Sequence, residues 1–312
     1  MKNNKIKKLI IYRLYFITDP ILKILPNKKN NSLYIIFSEA RSGSTWLAEI
    51  LRQGLDATLI WEPLHIKRGA VSSKFGYRPY WSNQLKDKLL KVFKGKFLNT
   101  WLISKEDKLL PFLKASKPLL VKFIRANKLI PEIFDDLTFK NKPIILLRHP
   151  ASVFLSQVKR FKKSRENLWW NEKRKRFILK DPRFLKHKKF ITKFKDPFYI
   201  DFAIFCMNNY HIYNNYKDDR MIPIFYEKMI LSPENELAEA LKEWNIKYDK
   251  INHLIKKPSS EVAKEGLKKK SKDQIAKWKF KLTKEEAEIF QSILDYFSIK
   301  VYDMKNGIPK TI

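Results

Sequence analysis

Short apolar runs recur along this chain with longer stretches of helical periodicity between them, and that alternation restricts the fold more than any other feature. "LYIIF" (33–37), "LLVKF" (119–123), "IILLR" (144–148) and "IPIFYE" (222–227) read as buried strands, each followed by a helical pattern, and "TLIWEP" (58–63) is a weaker fifth candidate. Such alternation predicts a parallel sheet covered by helices, with ligands gathered at the carboxyl ends of strands far apart in sequence. The expected fold is therefore α/β: one domain, its parallel sheet flanked by helices. Two stretches break the rhythm as insertions: an excursion over 66–118, and a basic block over 159–195 that interleaves Trp169, Trp170 and several Phe with Lys and Arg.

The first strand runs into "ARSGSTWLAEIL", Ala40 to Leu51. A strand, a small-residue turn and a helix in this order bring backbone N–H groups and a helix N-terminus to one point, which attracts an anion. Within the turn, Ser42, Ser44 and Thr45 add hydroxyl donors, Gly43 permits close backbone approach and Arg41 supplies positive charge. A helix is expected from Trp46 onward, with Trp46, Leu47, Ile50 and Leu51 facing the sheet. The layout is P-loop-like, but a nucleoside-triphosphate loop reads GxxxxGK[ST], with its lysine on the β/γ-phosphates and its Ser/Thr on Mg²⁺. This loop is shorter and has no such lysine. The anion that suits it is a compact monophosphate-type group bearing a sulfate.

A second strand-to-helix unit, "KPIILLRHPASVFLSQVKRF", ends its strand at Arg148, turns at Pro150 and carries Ser156 two turns into its helix. An arginine and a serine so placed can converge on one phosphate, which suits the planar fork of the guanidinium. In order and setting, the two stretches resemble the sulfotransferases that use 3′-phosphoadenosine-5′-phosphosulfate (PAPS). "ARSGSTWLAEIL" resembles their 5′-phosphosulfate loop. Arg148 and Ser156, eight residues apart, resemble their 3′-phosphate element. The resemblance runs over about residues 32 to 302 and implies PAPS as the donor, with no metal required. It also implies that Tyr226, in "IPIFYE", lies at the nucleotide end, that Trp46 is a candidate to stack on adenine, and that a late basic loop closes over the 3′-phosphate. "LKKKSKDQIAKWKFKLTKEEAEIF" occupies the place of that loop; Lys269 and Lys270 are the candidates, although the family's glycine and adjacent Arg-Lys pair are absent. The domain division expected is a basic, amphipathic N-terminal segment, 1–31, and a sulfotransferase domain, 32–305.

Sulfuryl transfer to a hydroxyl needs a base for the acceptor proton and positive groups for the leaving oxygen. In the family's phenol- and steroid-acting branch, the base is a histidine two residues after a strand-end lysine. Here Lys122 is retained in "VKFIRAN", but Ile124 stands at the histidine's place. "WEPLH" (Trp61 to His65) resembles the "EPL" element of carbohydrate sulfotransferases, which makes Glu62 the favoured base and His65 the alternative, with Arg41 and Lys122 on the transferring group. Asn127 is a candidate to orient the acceptor or to cap a helix.

The charge balance, 65 Lys and Arg against 32 Asp and Glu for a net +33, points to an anionic partner. Besides PAPS, that suits an acidic or lipid-linked carbohydrate acceptor. A single cysteine, Cys206, excludes an intrachain disulfide and is expected in the core, and the five histidines show no metal-ligand spacing. The N-terminal apolar run is interrupted by Arg13, Asp19, Pro20 and Lys23, so it falls short of a membrane span and reads as an amphipathic segment that contacts a membrane surface or packs on the domain. A bacterial cytoplasmic enzyme, peripheral to the inner face of the membrane, is the expectation. Two other readings compete. A P-loop-type kinase would need the missing lysine, and a nucleic-acid-binding protein would use the basic block but leave the two spaced phosphate motifs to coincidence.

Overall fold

The computed structural model describes residues 32–65, 80–96, 99, 101–103, 117–160, 170, 172–257 and 275–310. The N-terminal segment, Lys269, Lys270, Trp169 and much of the 66–118 excursion lie outside the described residues. The elements in chain order are β1 (Leu33–Ser38), α1 (Ser44–Leu55), β2 (Thr58–Trp61), α2 (Asn83–Phe93), β3 (Leu119–Ile124), α3 (Ile130–Asp136), β4 (Ile144–Leu147) and α4 (Pro150–Arg160). They continue with α5 (Glu172–Ile178), α6 (Pro182–Ile191), α7 (Pro197–Asn214), β5 (Ile222–Phe225), α8 (Tyr226–Leu231), α9 (Pro233–Glu243), α10 (Asn252–Ile255) and α11 (Lys284–Tyr296).

All five strands are parallel and lie in the order β2-β3-β1-β4-β5, so β1 is central and the chain crosses over it once, between β3 and β4. Ile36 stands opposite both Lys122 and Ile144, and Trp61 opposite Lys122, so the carboxyl ends of the strands finish close together. Alternate residues feed two cores. Ile35, Phe37, Val121, Phe123, Ile145 and Leu147 pack against residues of α2, α3, α4, α6, α7 and α11. Ile36, Leu120, Ile144, Leu146, Ile222 and Ile224 pack against α1 and α9. Burial on both faces explains why these strands read as continuous apolar runs rather than as alternating ones. Helix α7 is buried on nearly all sides, and its Phe202 stacks on Phe290 of α11 at 3.7 Å. Cys206, on the same helix, is fully buried, and burial pushes its thiol well above the usual range.

Two boundaries differ from the sequence reading. The fifth strand stops at Phe225, because its backbone N–H is taken by the Glu236 carboxylate and Tyr226 and Glu227 open α8 instead of extending the strand. Helix α1 begins at Ser44, two residues before Trp46. Its buried side is Ser44, Leu47, Ala48, Ile50 and Leu51, while Trp46 stays at the helix edge, partly buried, with its indole N–H donating to the Lys257 carbonyl at 3.0 Å.

Candidate active site

Backbone strain collects where the strands end. Arg41 (φ 74°) and Gly43 (φ 100°) follow β1, Glu62 (φ 47°) follows β2 and Arg125 (φ 69°) follows β3. A left-handed conformation costs a residue with a side chain about 1–2 kcal/mol, and such strain gathers where a fold must aim groups at a ligand. Here it turns three chain segments sharply at one edge of the sheet.

The turn after β1 is tied down from inside. The Ala40 N–H donates to Glu39 Oε1 at 3.0 Å, and the Ser42 N–H to the Glu39 carbonyl at 3.2 Å. Gln157 Nε2 donates to the Ala40 carbonyl at 2.8 Å. Gly43 is required twice over: its φ is left-handed, and a Cβ there would stand 2.5 Å from the Tyr226 ring. The Ser42 hydroxyl is buried without a hydrogen-bond partner among the described residues, so the turn holds an unused donor.

The two anion motifs meet. Arg41 Nε donates to Ser156 Oγ at 3.3 Å, and Arg148 Nη1 donates to the Arg41 carbonyl at 3.2 Å, contacts that span 115 and 107 residues of sequence. The Arg148 guanidinium lies over the Tyr226 ring at 4.1 Å, and Trp46 meets the same ring edge-on with centroids 6.3 Å apart. Tyr226 thus packs against both the turn and Arg148.

Behind Arg148 lies a buried polar network. The Tyr213 hydroxyl donates to the Arg148 carbonyl at 2.8 Å, the His149 N–H to Glu227 Oε1 at 2.9 Å and the Tyr302 hydroxyl to Glu227 Oε2 at 2.8 Å. Burial raises the Glu227 carboxyl above its ordinary value, opposed first by the Arg148 charge and then by these hydrogen bonds. The His149 ring stacks on Trp278 at 4.2 Å, and its Nε2 lies 2.9 Å from the Asp303 carbonyl, an acceptor only, so the neutral ring carries its proton on Nε2. Burial pushes His149 down to about 4 despite that bond.

Beyond this network stands a cationic group that the sequence reading passed over. Lys281 has its pKa lowered, first by partial burial and then by the charges of Lys159, Lys277 and Arg148. The signal in the sequence was "KWKFK", a few residues past the Lys269–Lys270 run that drew attention instead.

On the other side of β1, Lys122 and Glu62 form a buried ion pair, Nζ to Oε1 2.9 Å. The Glu62 N–H donates to the Lys122 carbonyl at 2.9 Å, which extends the strand pairing by one residue before the left-handed turn swings the carboxylate inward. Lys122 Nζ also lies over the Trp61 ring at 3.5 Å and within 3.5 Å of Thr45 Oγ1, so it links β2, β3 and the anion turn. The His65 N–H donates to the Glu62 carbonyl at 2.9 Å, and its ring packs on Trp101 with centroids 4.5 Å apart. Asn127 donates its amide to Asn209 Oδ1 at 2.7 Å and its side chain caps no helix among the described residues, while its own Oδ1 is buried without a hydrogen-bond partner among them. Arg41, Ser42, Gly43, Ser44, Thr45, Glu62, Lys122, Arg148, Ser156 and Tyr226 therefore share one edge of the sheet, with Trp46 at its border. Among the described residues, no three of His, Cys, Asp or Glu converge as a metal site would.

The sulfotransferase domain model matches residues 32–305. The chain belongs to the sulfotransferase domain family. Among solved structures, this sulfotransferase is similar to the sulfotransferase domain from the curacin biosynthetic pathway, at 18% identity over 86% of this chain and 98% of that one with a TM-score of 0.43. It is also similar to the sulfotransferase domain of the Synechococcus PCC 7002 olefin synthase, at 16% identity, 90% and 99% coverage and a TM-score of 0.45. Mouse sulfotransferase SULT7A1 complexed with PAP gives 13% identity, 89% and 88% coverage and a TM-score of 0.43. A comparison with curated proteins finds no significant match. Among the described residues, no helix of this sulfotransferase is long and apolar enough to cross a membrane.

Proposed function

We propose that this sulfotransferase moves a sulfuryl group from PAPS to a hydroxyl of a carbohydrate acceptor, a glycan or a lipid-linked saccharide. The observation that carries the reading is the direct contact between the two anion motifs, Arg41 to Ser156 at 3.3 Å and Arg148 to the Arg41 carbonyl at 3.2 Å. A ligand with phosphosulfate at one end and phosphate at the other engages both. The turn from Arg41 to Thr45 takes the 5′-phosphosulfate. Arg148 and Ser156 take the 3′-phosphate, with Lys281 and Lys159 adding charge and Lys269 and Lys270 as further candidates, and Trp46 and Tyr226 border the adenine.

In the transfer, the acceptor hydroxyl gives its proton to the Glu62 carboxylate as its oxygen attacks sulfur in line. The new S–O bond forms while the S–O bond to the 5′-phosphate breaks, and Lys122 and Arg41 stabilise the charge on the departing phosphate oxygen. The products are a sulfate ester and 3′,5′-phosphoadenosine. Glu62 is favoured over His65 because its carboxylate lies beside Lys122, whereas the His65 ring packs on Trp101. Ile124 in the phenol-branch histidine's place supports a sugar hydroxyl over a phenol.

Calorimetric titration with 3′,5′-phosphoadenosine tests the donor reading, run beside 5′-AMP and beside Arg148→Ala. Tight binding that is lost in both comparisons supports it. Equal affinity for AMP overturns it.

A further inference from the structure

We propose that the face built by α5 and α6 docks on an anionic lipid bilayer. The inference rests on surface chemistry alone and does not depend on the donor or acceptor proposed above. From Lys175 to Lys195 the chain carries nine Lys or Arg and one acid, Asp181. That acid is buried, accepting from the Arg183 N–H at 3.0 Å and lying 3.7 Å from both Lys128 Nζ and Arg183 Nε, so it offsets Arg183 but none of the exposed lysines of α6. Helix α6 turns Phe184 and Ile191 inward. Lys186 and Lys189 stand on its opposite side, with Lys193 in the turn that follows, all three exposed.

Apolar side chains accompany the cations. Phe177, Leu179 and Leu185 are 42%, 37% and 54% exposed. Water solvates lysines without help from leucines, and of the three only Phe177 has a ring for a base to stack on, with the Arg176 guanidinium over it at 4.8 Å. A bilayer takes both kinds of group: its headgroup phosphates meet the lysines while apolar tips enter the acyl boundary.

The charge is also oriented. On the other face of the sheet, α9 carries Glu234, Glu236, Glu239 and Glu243 against a single lysine, Lys242. Beside α6, α11 packs through Tyr296 stacked on Phe190 at 3.5 Å and bears Glu285, Glu288 and Asp295, which bounds the patch. An anionic surface therefore meets this molecule with α5 and α6 leading.

The test is co-sedimentation of the full chain with phosphatidylglycerol/phosphatidylcholine vesicles and with phosphatidylcholine vesicles alone, in 0.1 M salt. Binding is expected to the anionic vesicles only, and Lys186→Gln/Lys189→Gln/Lys193→Gln is expected to weaken it by roughly 100-fold. The same loss of charge at Lys242, Lys247 and Lys250 should change it by no more than about fivefold, the weight of one lysine at the surface. Leu185→Ser/Phe177→Ser should lower the fraction that stays bound when salt is raised to about 0.5 M, where screening has removed most of the charge attraction. Binding of 3′,5′-phosphoadenosine, unchanged in every variant, excludes misfolding, and should that ligand fail to bind even the parent chain, thermal melting serves in its place. Equal weakening by the two lysine triplets overturns the proposal in favour of diffuse charge, and retention by the α6 triplet overturns it in favour of another segment. Displacement from the vesicles by a single-stranded oligonucleotide at equal phosphate concentration would assign the patch to polyanions and overturn it as well.

Discussion

Lys122 holds Glu62 at 2.9 Å while the same ammonium stands 3.5 Å from Thr45 of the anion turn. The lysine therefore divides its charge between the proposed base and the place where the sulfuryl group would sit. Glu62→Gln should lower turnover by about 10²- to 10⁴-fold, the range for a general base, and leave affinity for 3′,5′-phosphoadenosine within a few fold. Single-turnover rates and calorimetry on the same variant check both halves. Lys122→Ala strands a buried carboxylate, and urea denaturation should show a loss of about 3–5 kcal/mol.

Gly43 is held by conformation and by space. Gly43→Ala places a methyl 2.5 Å from the Tyr226 ring at φ 100°. The expected cost is about 2–4 kcal/mol of stability, from left-handed strain and overpacking together. Adding Tyr226→Ala should return only the packing part, so a double variant as stable as its Tyr226→Ala parent would refute the role of φ.

His149 makes stability depend on pH. Its folded pKa is about 4 against an ordinary 6.5, so the folded protein excludes a proton that the unfolded chain accepts. The stability it confers as a neutral ring is complete above about pH 6.5 and is lost as pH falls through that value toward 4, by about 3 kcal/mol. Glu227, raised by burial, works in the opposite sense as it takes up a proton. Comparing denaturation of the parent and His149→Asn at pH 7 and pH 4.5 isolates the histidine: the gap between them should narrow at the lower pH.

Lys281 feels the charges of Lys159, Lys277 and Arg148, which lower its pKa after the effect of partial burial. Lys281→Gln should weaken 3′,5′-phosphoadenosine about tenfold, leave 5′-AMP unchanged and flatten the salt dependence of binding. An equal loss for both nucleotides would place Lys281 away from the 3′-phosphate.

The sheet and both anion motifs were legible because each rests on local chemistry: a buried strand shows its apolar run, and a phosphate turn shows its small residues and its arginine. The contact of Arg41 with Ser156 was not legible, since the two were assigned to opposite ends of the nucleotide and lie 115 residues apart. Nor was the support of Arg148. Tyr213, Glu227, Tyr302 and Trp278 come from α7, α8 and the C-terminal region, and nothing local in "FYEKM" or "KVYDM" states that the two share a carboxylate. Tyr226 read as a strand end because its apolar neighbours continue the run, whereas the Glu236 side chain, eleven residues on, closes the ladder at Phe225. The strained Arg41, Glu62 and Arg125 were equally hidden, since none is a residue that favours a left-handed backbone.

The strand order assigns the proposed tasks to opposite flanks of β1. Arg148 and Tyr226 follow β4 and β5 on one flank; Glu62 and Lys122 belong to β2 and β3 on the other. Only the turn after β1 serves both. On the roles proposed here, sequence drift along the β2–β3 flank that spares Glu62 and Lys122 would retarget the enzyme to a new acceptor while donor recognition on the β4–β5 flank is inherited, and a designer seeking a different sulfated product would vary the first flank around that pair and leave the second alone.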